Sequence, residues 1–319
     1  MIKSGATSNV GSSTFPVLVR NAHRRELCIN MGRWLAMVLV IIGASSYGLL
    51  SSFIKMAYDQ GFTDGQITPA QMTMGTLFVW MLILFHKKSW VNPFKGPWIR
   101  LGLIGIFGLA LTTVFYNIAL KELNASLSII LLFQFTWITI AMDCIVKRRL
   151  PRKAESIAIV LILVGTLLAV NVFETNWEHF SLLGILYGML SALTYSVFLF
   201  FTGQVVSTLP PLMNSAIMLT AAMPVMYILY PPTVFVHENG SALLLWGLLL
   251  GFLGQVVPTV SFNIGIPRIG STLAAMLGSV ELPVAVIAAY LLIGEPVNGL
   301  QWLGMGLIIG GIIISENKP

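Results

Sequence analysis

Apolar residues fall into ten runs, and polar residues are confined to the short links between them. The runs cover about 34–56, 68–86, 98–120, 125–146, 155–173, 180–203, 212–230, 241–264, 271–293 and 298–315. A helix that crosses a bilayer needs roughly 20 mostly apolar residues, and each run is close to that length. Pro, Ser and Thr inside the runs do not argue against helix, because neighbouring helices re-satisfy the freed backbone groups. The pattern predicts an all-α membrane protein of ten transmembrane helices, with no room in the links for a separate soluble domain.

The ten runs are five, repeated. Residues 32–173 superpose on 180–315 at a shift of about 147 residues. At that spacing Ser46-Tyr47 meets Thr194-Tyr195, Tyr116-Asn117 meets Phe262-Asn263, and Gly165 meets Gly311. Single matches are short; their common spacing is the signal. Five is odd, so the second copy enters the bilayer from the opposite side. The links carry the mark of that inversion. After run 4 the chain reads Lys147-Arg148-Arg149-Leu150-Pro151, and after run 9 Gly294-Glu295-Pro296-Val297. Inverted repeats of this kind are a recurring plan of secondary transporters, with substrate held near the midplane between the halves. Two unrelated five-helix bundles are the alternative.

Charge sets the orientation. With the amino terminus in the cytoplasm, the inner segments hold Arg20, Arg24, Arg25, Arg33, Lys87, Lys88, Lys95, Arg100, Lys147, Arg148, Arg149, Arg152, Lys153, Arg268 and Lys318. The outer loops hold Asp59, Asp64, Lys121, Glu122, Glu174, Glu178, Glu238 and Glu295. Excess Lys and Arg on the cytoplasmic side is the rule for membrane proteins, so both termini are expected inside a cell membrane.

Composition agrees: 56% of residues are hydrophobic and 9% charged, against about 25% charged in soluble domains. The net charge of +6 lies beside apolar runs, which points to lipid and not to nucleic acid. Cys28 and Cys144 both fall on the cytoplasmic side, where thiols stay reduced, so no disulfide is expected. The first run starts too far in and is too long for a cleavable signal peptide. Residues 1–31 are polar and aperiodic, as in a disordered cytoplasmic tail, and Met31 is an alternative start.

Three stretches carry a family likeness: Gly43-Ala44-Ser45-Ser46-Tyr47-Gly48, Phe115-Tyr116-Asn117-Ile118-Ala119-Leu120, and Ser279-Val280-Glu281-Leu282-Pro283-Val284 running on to Leu292-Ile293-Gly294-Glu295. In order and spacing the chain resembles the ten-helix branch of the drug/metabolite transporter superfamily, with two EamA-type domains at 32–173 and 180–315. The resemblance implies a cell-membrane carrier, often an exporter of amino acids, metabolites or drugs, and leaves the substrate open. The first half departs from the family pattern. Run 4 reads Phe133-Gln134-Phe135-Thr136-Trp137 and lacks the usual acid or proline, so the first half offers no carboxylate at this place for a mechanism that needs one in both halves.

Glu281 is the sharpest candidate for work. It lies at mid-depth of run 9, where a charge is costly. A carboxyl that is neutral when dry and ionised when wetted can couple proton entry to transport; a hydrogen bond to a neighbouring backbone beside a kink at Pro283 is the structural alternative. Gln134 is its counterpart in run 4 and can donate and accept. Ser46, Tyr47, Thr194 and Tyr195 place polar aromatic groups on the first run of each half; Tyr116, Asn117, Gln255 and Asn263 do so on runs 3 and 8. A few placed polar groups in apolar walls make a ligand site, and helix packing is the competing role for each. Trp137 and Trp80 can stack on a cationic or aromatic substrate or simply fill space. The Gly184, Gly188, Gly247, Gly251, Gly306 and Gly310 spacings let helices approach closely. Pro224, Pro258 and Pro283 predict kinks in runs 7, 8 and 9, all in the second half. Lys55 is expected to snorkel to the outer interface, and Asp143 to pair with Lys147.

No enzyme chemistry is assembled. His23, His86, His179 and His237 sit in links or the tail, and no His-Glu-x-x-His or Gly-x-x-x-x-Gly-Lys-Ser/Thr motif occurs. Only Asp143 stands near a run, short of the two acids an aspartyl protease needs, and no run holds a row of arginines for voltage sensing. No cofactor or metal is implied. The expected partners are a small-molecule substrate and the lipid bilayer. A homodimer is open, since the glycine faces of runs 5 and 10 suit packing within one chain or between two. A secondary transporter working by alternating access is the reading; a channel or a non-transporting receptor is the alternative.

Overall fold

In the computed structural model, residues 32–123, 125–171, 181–231 and 240–316 are described. Ten helical spans follow one another: α1 (Arg33–Asp59), α2 (Asp64–Phe85), α3 (Trp98–Glu122), α4 (Ala125–Val146), α5 (Lys153–Ala169), α6 (Leu182–Gln204), α7 (Pro211–Leu229), α8 (Ser241–Ile269), α9 (Ser271–Ile293) and α10 (Gly299–Glu316). Nine of these described helices are long and apolar enough to cross a bilayer. The tenth, α5, has 17 residues, about 26 Å at 1.5 Å per residue. The expected tail at 1–31, Cys28, His23, His179, His237, Glu174, Glu178, Glu238 and Lys318 lie outside the described residues.

Helix ends depart from the apolar runs where caps extend them. α2 begins at Asp64, ahead of the apolar run, because the Gln66 Oε1 accepts from the Thr63 backbone amide at 2.9 Å and Asp64 stands in the first turn, where negative charge is favoured. α8 continues to Ile269 and stops at Gly270, whose φ of +87 suits glycine.

The halves interlock with a pseudo-two-fold pattern. α1 packs on α8 and α9, α6 packs on α3 and α4, and α5 lies along α10. The α5–α10 seam is built on small residues. A side chain at Gly165 would meet the Gly304 carbonyl oxygen at 2.7 Å, and one at Gly311 would meet the Ala158 carbonyl at 3.1 Å. These glycine faces therefore close within one chain. Gly306 and Gly310, expected to bring helices together, face open space; Gly184, Gly188, Gly247 and Gly251 do make close approaches.

The expectation that distortions belong to the second half holds at the end of α9, where a π segment (Ala289–Ile293) has no counterpart in α4, but fails for α3 and α8. α8 widens into a π segment at Phe252–Val256, just before Pro258, and α3 does the same at Gly105–Ala110 without proline. The two segments begin one repeat apart. What they share is close contact across the halves: a Cβ at Gly105 would run into the Met218 carbonyl oxygen of α7, and one at Gly254 into the Gln71 side chain of α2. Proline is therefore not required for the bulge, which recurs in α3 without one.

Candidate functional site

The two discontinuous helices meet at the centre. In α4 the α-helical ladder lapses at Phe133–Gln134, and in α9 at Ser279–Val280. At each break backbone amides bond three residues back: Gln134 to Leu131 (3.2 Å) and Thr136 to Phe133 (3.3 Å); Ser279 to Met276 and Val280 to Leu277 (3.1 Å each). The breaks touch through Thr136 and Ser279, whose hydroxyls are 3.2 Å apart and fully buried. Glu281 opens the second segment of α9. No hydrogen bond or ion pair reaches its carboxylate among the described residues.

Around this crossing stands an aromatic cluster drawn from both halves. Tyr47 of α1 and Tyr195 of α6 meet edge to face with centroids 6.4 Å apart. Tyr47 also touches Phe262 of α8 at 6.1 Å, and Tyr195 touches Phe135 of α4 at 4.7 Å. Phe198 stacks on Tyr195 at 6.1 Å and reaches Phe262 at 6.0 Å. The phenols of Tyr47, Tyr116 and Tyr195 all lie within electrostatic range of Glu281. The Tyr195 hydroxyl is buried and has no hydrogen-bond partner among the described residues, a state that calls for explanation in a native protein. Of the sequence-predicted residues, Tyr47 and Tyr195 meet directly, with Glu281 and Tyr116 in electrostatic range of this centre.

The others are placed elsewhere. Ser46 donates to the Leu253 carbonyl at 2.6 Å, pinning α1 to the π segment of α8. Thr194 accepts from Thr112 at 2.8 Å, pinning α6 to α3 just beyond its π segment. Asn117 donates to Asp64 (3.0 Å) and Tyr230 (3.2 Å), while Asn263 donates to Ser215 (3.0 Å) and to the Thr259 carbonyl (2.9 Å). Each asparagine ties helices near an end of its span. Gln255 is buried against Gly75 of α2. Gln134 sits at the α4 break but turns to its own helix: its amide donates to the Ile130 carbonyl at 3.0 Å and accepts from the Trp137 indole at 2.8 Å. Trp137 is 39% exposed, and Trp80 donates to Thr220 of α7 at 2.9 Å.

Charged side chains cluster at the two ends of the bundle. At the end of α4, Asp143 is 1% exposed. It pairs with Lys147 (2.8 Å) and Arg149 (3.0 Å) and accepts from Thr272 (3.0 Å) and Ser271 (3.3 Å) of α9. Arg149 also pairs with Glu155 of α5 at 2.7 Å. That carboxylate and then Asp143 hold the Arg149 guanidinium proton more tightly than in an isolated arginine. The expected Asp143–Lys147 pair is thus one arm of a buried network that joins the halves. At the opposite end Lys55 pairs with Glu295, a partner that the sequence reading did not assign to it.

Sequence reasoning did not single out Phe135, Phe198 or Phe262, because aromatic residues are ordinary filling in an apolar run. Asp64 and Tyr230 were also missed as partners of Asn117; their contact needs α2, α3 and the end of α7 together. Among the described residues no cluster of His, Cys, Asp and Glu is arranged to hold a metal ion.

Comparison with known proteins places the chain. The EamA-like transporter family matches residues 34–171 and 182–316. The uncharacterized transporter YcbK of Bacillus subtilis is 21% identical over 277 residues, 84% of this chain and 88% of that protein. A WAT1-related protein of Arabidopsis thaliana is 21% identical over 321 residues, 88% of this chain and 87% of that one. One solved crystal structure superposes with a TM-score of 0.69 at 19% identity, covering 88% of this chain and 96% of the other.

Proposed function

The chain belongs to the EamA-like transporter family, within the drug/metabolite transporter superfamily, and from that premise we propose that it exports a small organic metabolite, amino acid or drug across the cytoplasmic membrane by alternating access. One observation carries the reading: the breaks of α4 and α9 touch at mid-depth, inside a ring of aromatic side chains contributed by both halves. Rocking one half against the other exposes such a junction to each side in turn. The basic residues gathered at one face support cytoplasmic termini, and the spacing of the runs supports repeat units at 32–173 and 180–315.

Tyr47, Tyr116 and Tyr195 are the substrate-facing groups of this proposal, with the unpartnered Tyr195 hydroxyl offering a hydrogen bond to cargo. Glu281 is the coupling group: it is the acid that the central phenols face, and it lacks a structural partner. Ser46, Thr194, Asn117, Asn263, Gln255, Gln134 and Trp137 enter as the frame that sets the helix positions. The walls are aromatic and apolar, which suits a compact and weakly charged substrate.

The test is a substrate screen in proteoliposomes, run with and without a pH gradient. Saturable flux that follows the gradient is the expected result. Linear, unsaturable flux would select a channel, and binding without flux a receptor.

A further inference from the structure

A second feature lies away from the aromatic centre. A groove of about 560 Å³ runs along the outer face of α4 toward the α4–α5 link. Its walls are Trp137, Ile140, Ala141, Ile145 and, from α5, Ile159; its mouth is Arg148. Trp137, Ile140/Ala141, Ile145 and Arg148 succeed one another at helical spacing, so they share one face. Phe135 and Ile138 belong to the opposite face and are buried in the core. The groove is therefore separate from the Tyr47–Tyr195 site.

The cations at the mouth are not equivalent. Lys147 is paired with Asp143, and Arg149 is divided between Asp143 and Glu155. Arg148 is exposed, and its guanidinium has no hydrogen bond or ion pair among the described residues. The link carries five cations (Lys147, Arg148, Arg149, Arg152 and Lys153) against the carboxylates of Asp143 and Glu155. Beside Arg148, Ile145 and Leu150 are 75% and 88% exposed, which places the mouth at the boundary between hydrocarbon and headgroups.

The backbone adds an independent observation. Arg148 is left-handed, with φ of +49. Its position in the second half falls on Gly294, which is also left-handed, with φ of +79. The repeat calls for a left-handed residue at this corner, and glycine meets the need without strain. The first half holds an arginine in the same strained conformation. Strain of this kind points to a side chain kept for use.

We propose that this groove binds an anionic phospholipid of the leaflet on the basic face, its phosphate held by Arg148 and its acyl chains lying along Trp137, Ala141, Ile145 and Ile159. A guanidinium fork matches a phosphate bidentately, and the surplus positive charge selects an anionic over a zwitterionic headgroup. The lipid bridges α4 and α5 beside the Asp143 network.

The test is native mass spectrometry of the delipidated full-length protein, titrated with phosphatidylglycerol or phosphatidylcholine of identical chains. Wild type is expected to bind the first phosphatidylglycerol roughly tenfold more tightly, because both lipids offer the phosphate but only phosphatidylcholine brings a cation against the surplus positive charge. Arg148→Gly is expected to bring the two lipids within about twofold, with an unchanged or higher melting temperature in phosphatidylcholine micelles, since glycine relieves the left-handed strain. Ala141→Trp keeps Arg148 but fills the wall, and is expected to weaken both lipids; it decides the matter alone if Arg148→Gly does not fold. Retention of the wild-type preference by Arg148→Gly, undiminished binding in Ala141→Trp, or displacement of the lipid by glycerol phosphate at equal concentration each overturns the proposal, the last by showing a site for free anions.

Discussion

In α4 the helix gives way at Phe133–Gln134 and in α9 at Ser279–Val280, with the same three-back bonding at each. The side chains that follow differ. Gln134 is closed on Trp137 and Ile130, while Glu281 stands without a partner among central phenols. The corners beyond those helices differ as well: Arg148 beside a buried Asp143 network in the first half, Gly294 beside an exposed Lys55–Glu295 pair in the second. Duplication has kept the backbone and let the chemistry diverge. The shared geometry builds the junction between the halves, and the departures from symmetry mark the residues whose roles the variants below test.

The shared geometry breaks most readily at Gly48. A Cβ there would lie 2.5 Å from the Glu281 carbonyl oxygen, because α1 rests directly on the α9 break. At the matching place α6 rests on the α4 break through Ser196, which donates to the Phe135 carbonyl at 3.1 Å. Gly48→Leu should cost about 3 kcal/mol through overpacking and abolish the monodisperse peak in size-exclusion chromatography. Ser196→Ala removes one hydrogen bond, at about 1 kcal/mol, and should leave the peak in place. A monodisperse Gly48→Leu protein would mean that α1 does not bear on the α9 break.

The two charged corners should separate next. Asp143→Asn keeps the shape but removes the charge that Lys147 and Arg149 face in a nearly sealed site, and should cost about 2 kcal/mol. Glu295→Gln breaks a pair whose members are 49% and 46% exposed, and should cost at most about 1 kcal/mol. Thermal unfolding of both variants in one detergent measures the difference; equal losses would remove the distinction between a buried and an exposed corner.

The ten runs were legible because lipid leaves the backbone few choices, and the helices keep nearly the limits that hydrophobicity sets. The pairing of Tyr47 with Tyr195 was legible from the repeat, and the structure shows why that pair met when Asn117 and Asn263 did not. In an inverted repeat, matching residues sit at opposite depths unless both are near the middle. Tyr47 and Tyr195 lie near the middle of their helices, whereas Asn117 and Asn263 lie toward the ends of theirs. The π segment of α3 was not legible, since no proline marks it and the close approach of α7 at Gly105 appears only in the folded bundle. The left-handed Arg148 was not legible either. Its alignment with Gly294 was present in the repeat, but a glycine opposite an arginine reads as a mismatch until both dihedral angles are known.

Transport assays reach the divergence at the breaks. If Glu281 couples flux to protons, Glu281→Gln loses the titrating group, and pH-gradient-driven flux should fall at least roughly tenfold, ~1.4 kcal/mol in the barrier. Gln134→Glu adds an acid to the α4 break, where the side chain is turned toward Trp137 and Ile130, and should leave the gradient dependence in place. Unchanged gradient-driven flux in Glu281→Gln removes proton coupling from this residue and leaves facilitated exit as the mechanism.

The smallest effect separates the two left-handed corners by sign. Gly294 has a φ of +79, and nothing lies within 4 Å of the place a Cβ would take, so Gly294→Ala meets no clash and reports backbone strain alone. It should destabilise by about 1 kcal/mol. Arg148→Gly, at the matching position, should stabilise by a similar amount in a neutral detergent, because the strain is already present there and is relieved. Melting temperatures of the two single variants and the double variant then form a closed set. The corners are far apart on opposite faces of the bundle, so the double variant should fall near wild type, as additivity between distant sites requires. If both single variants destabilise, the arginine is held in place by contacts that outweigh its strain, and the repeat has diverged in backbone as well as in chemistry at this corner.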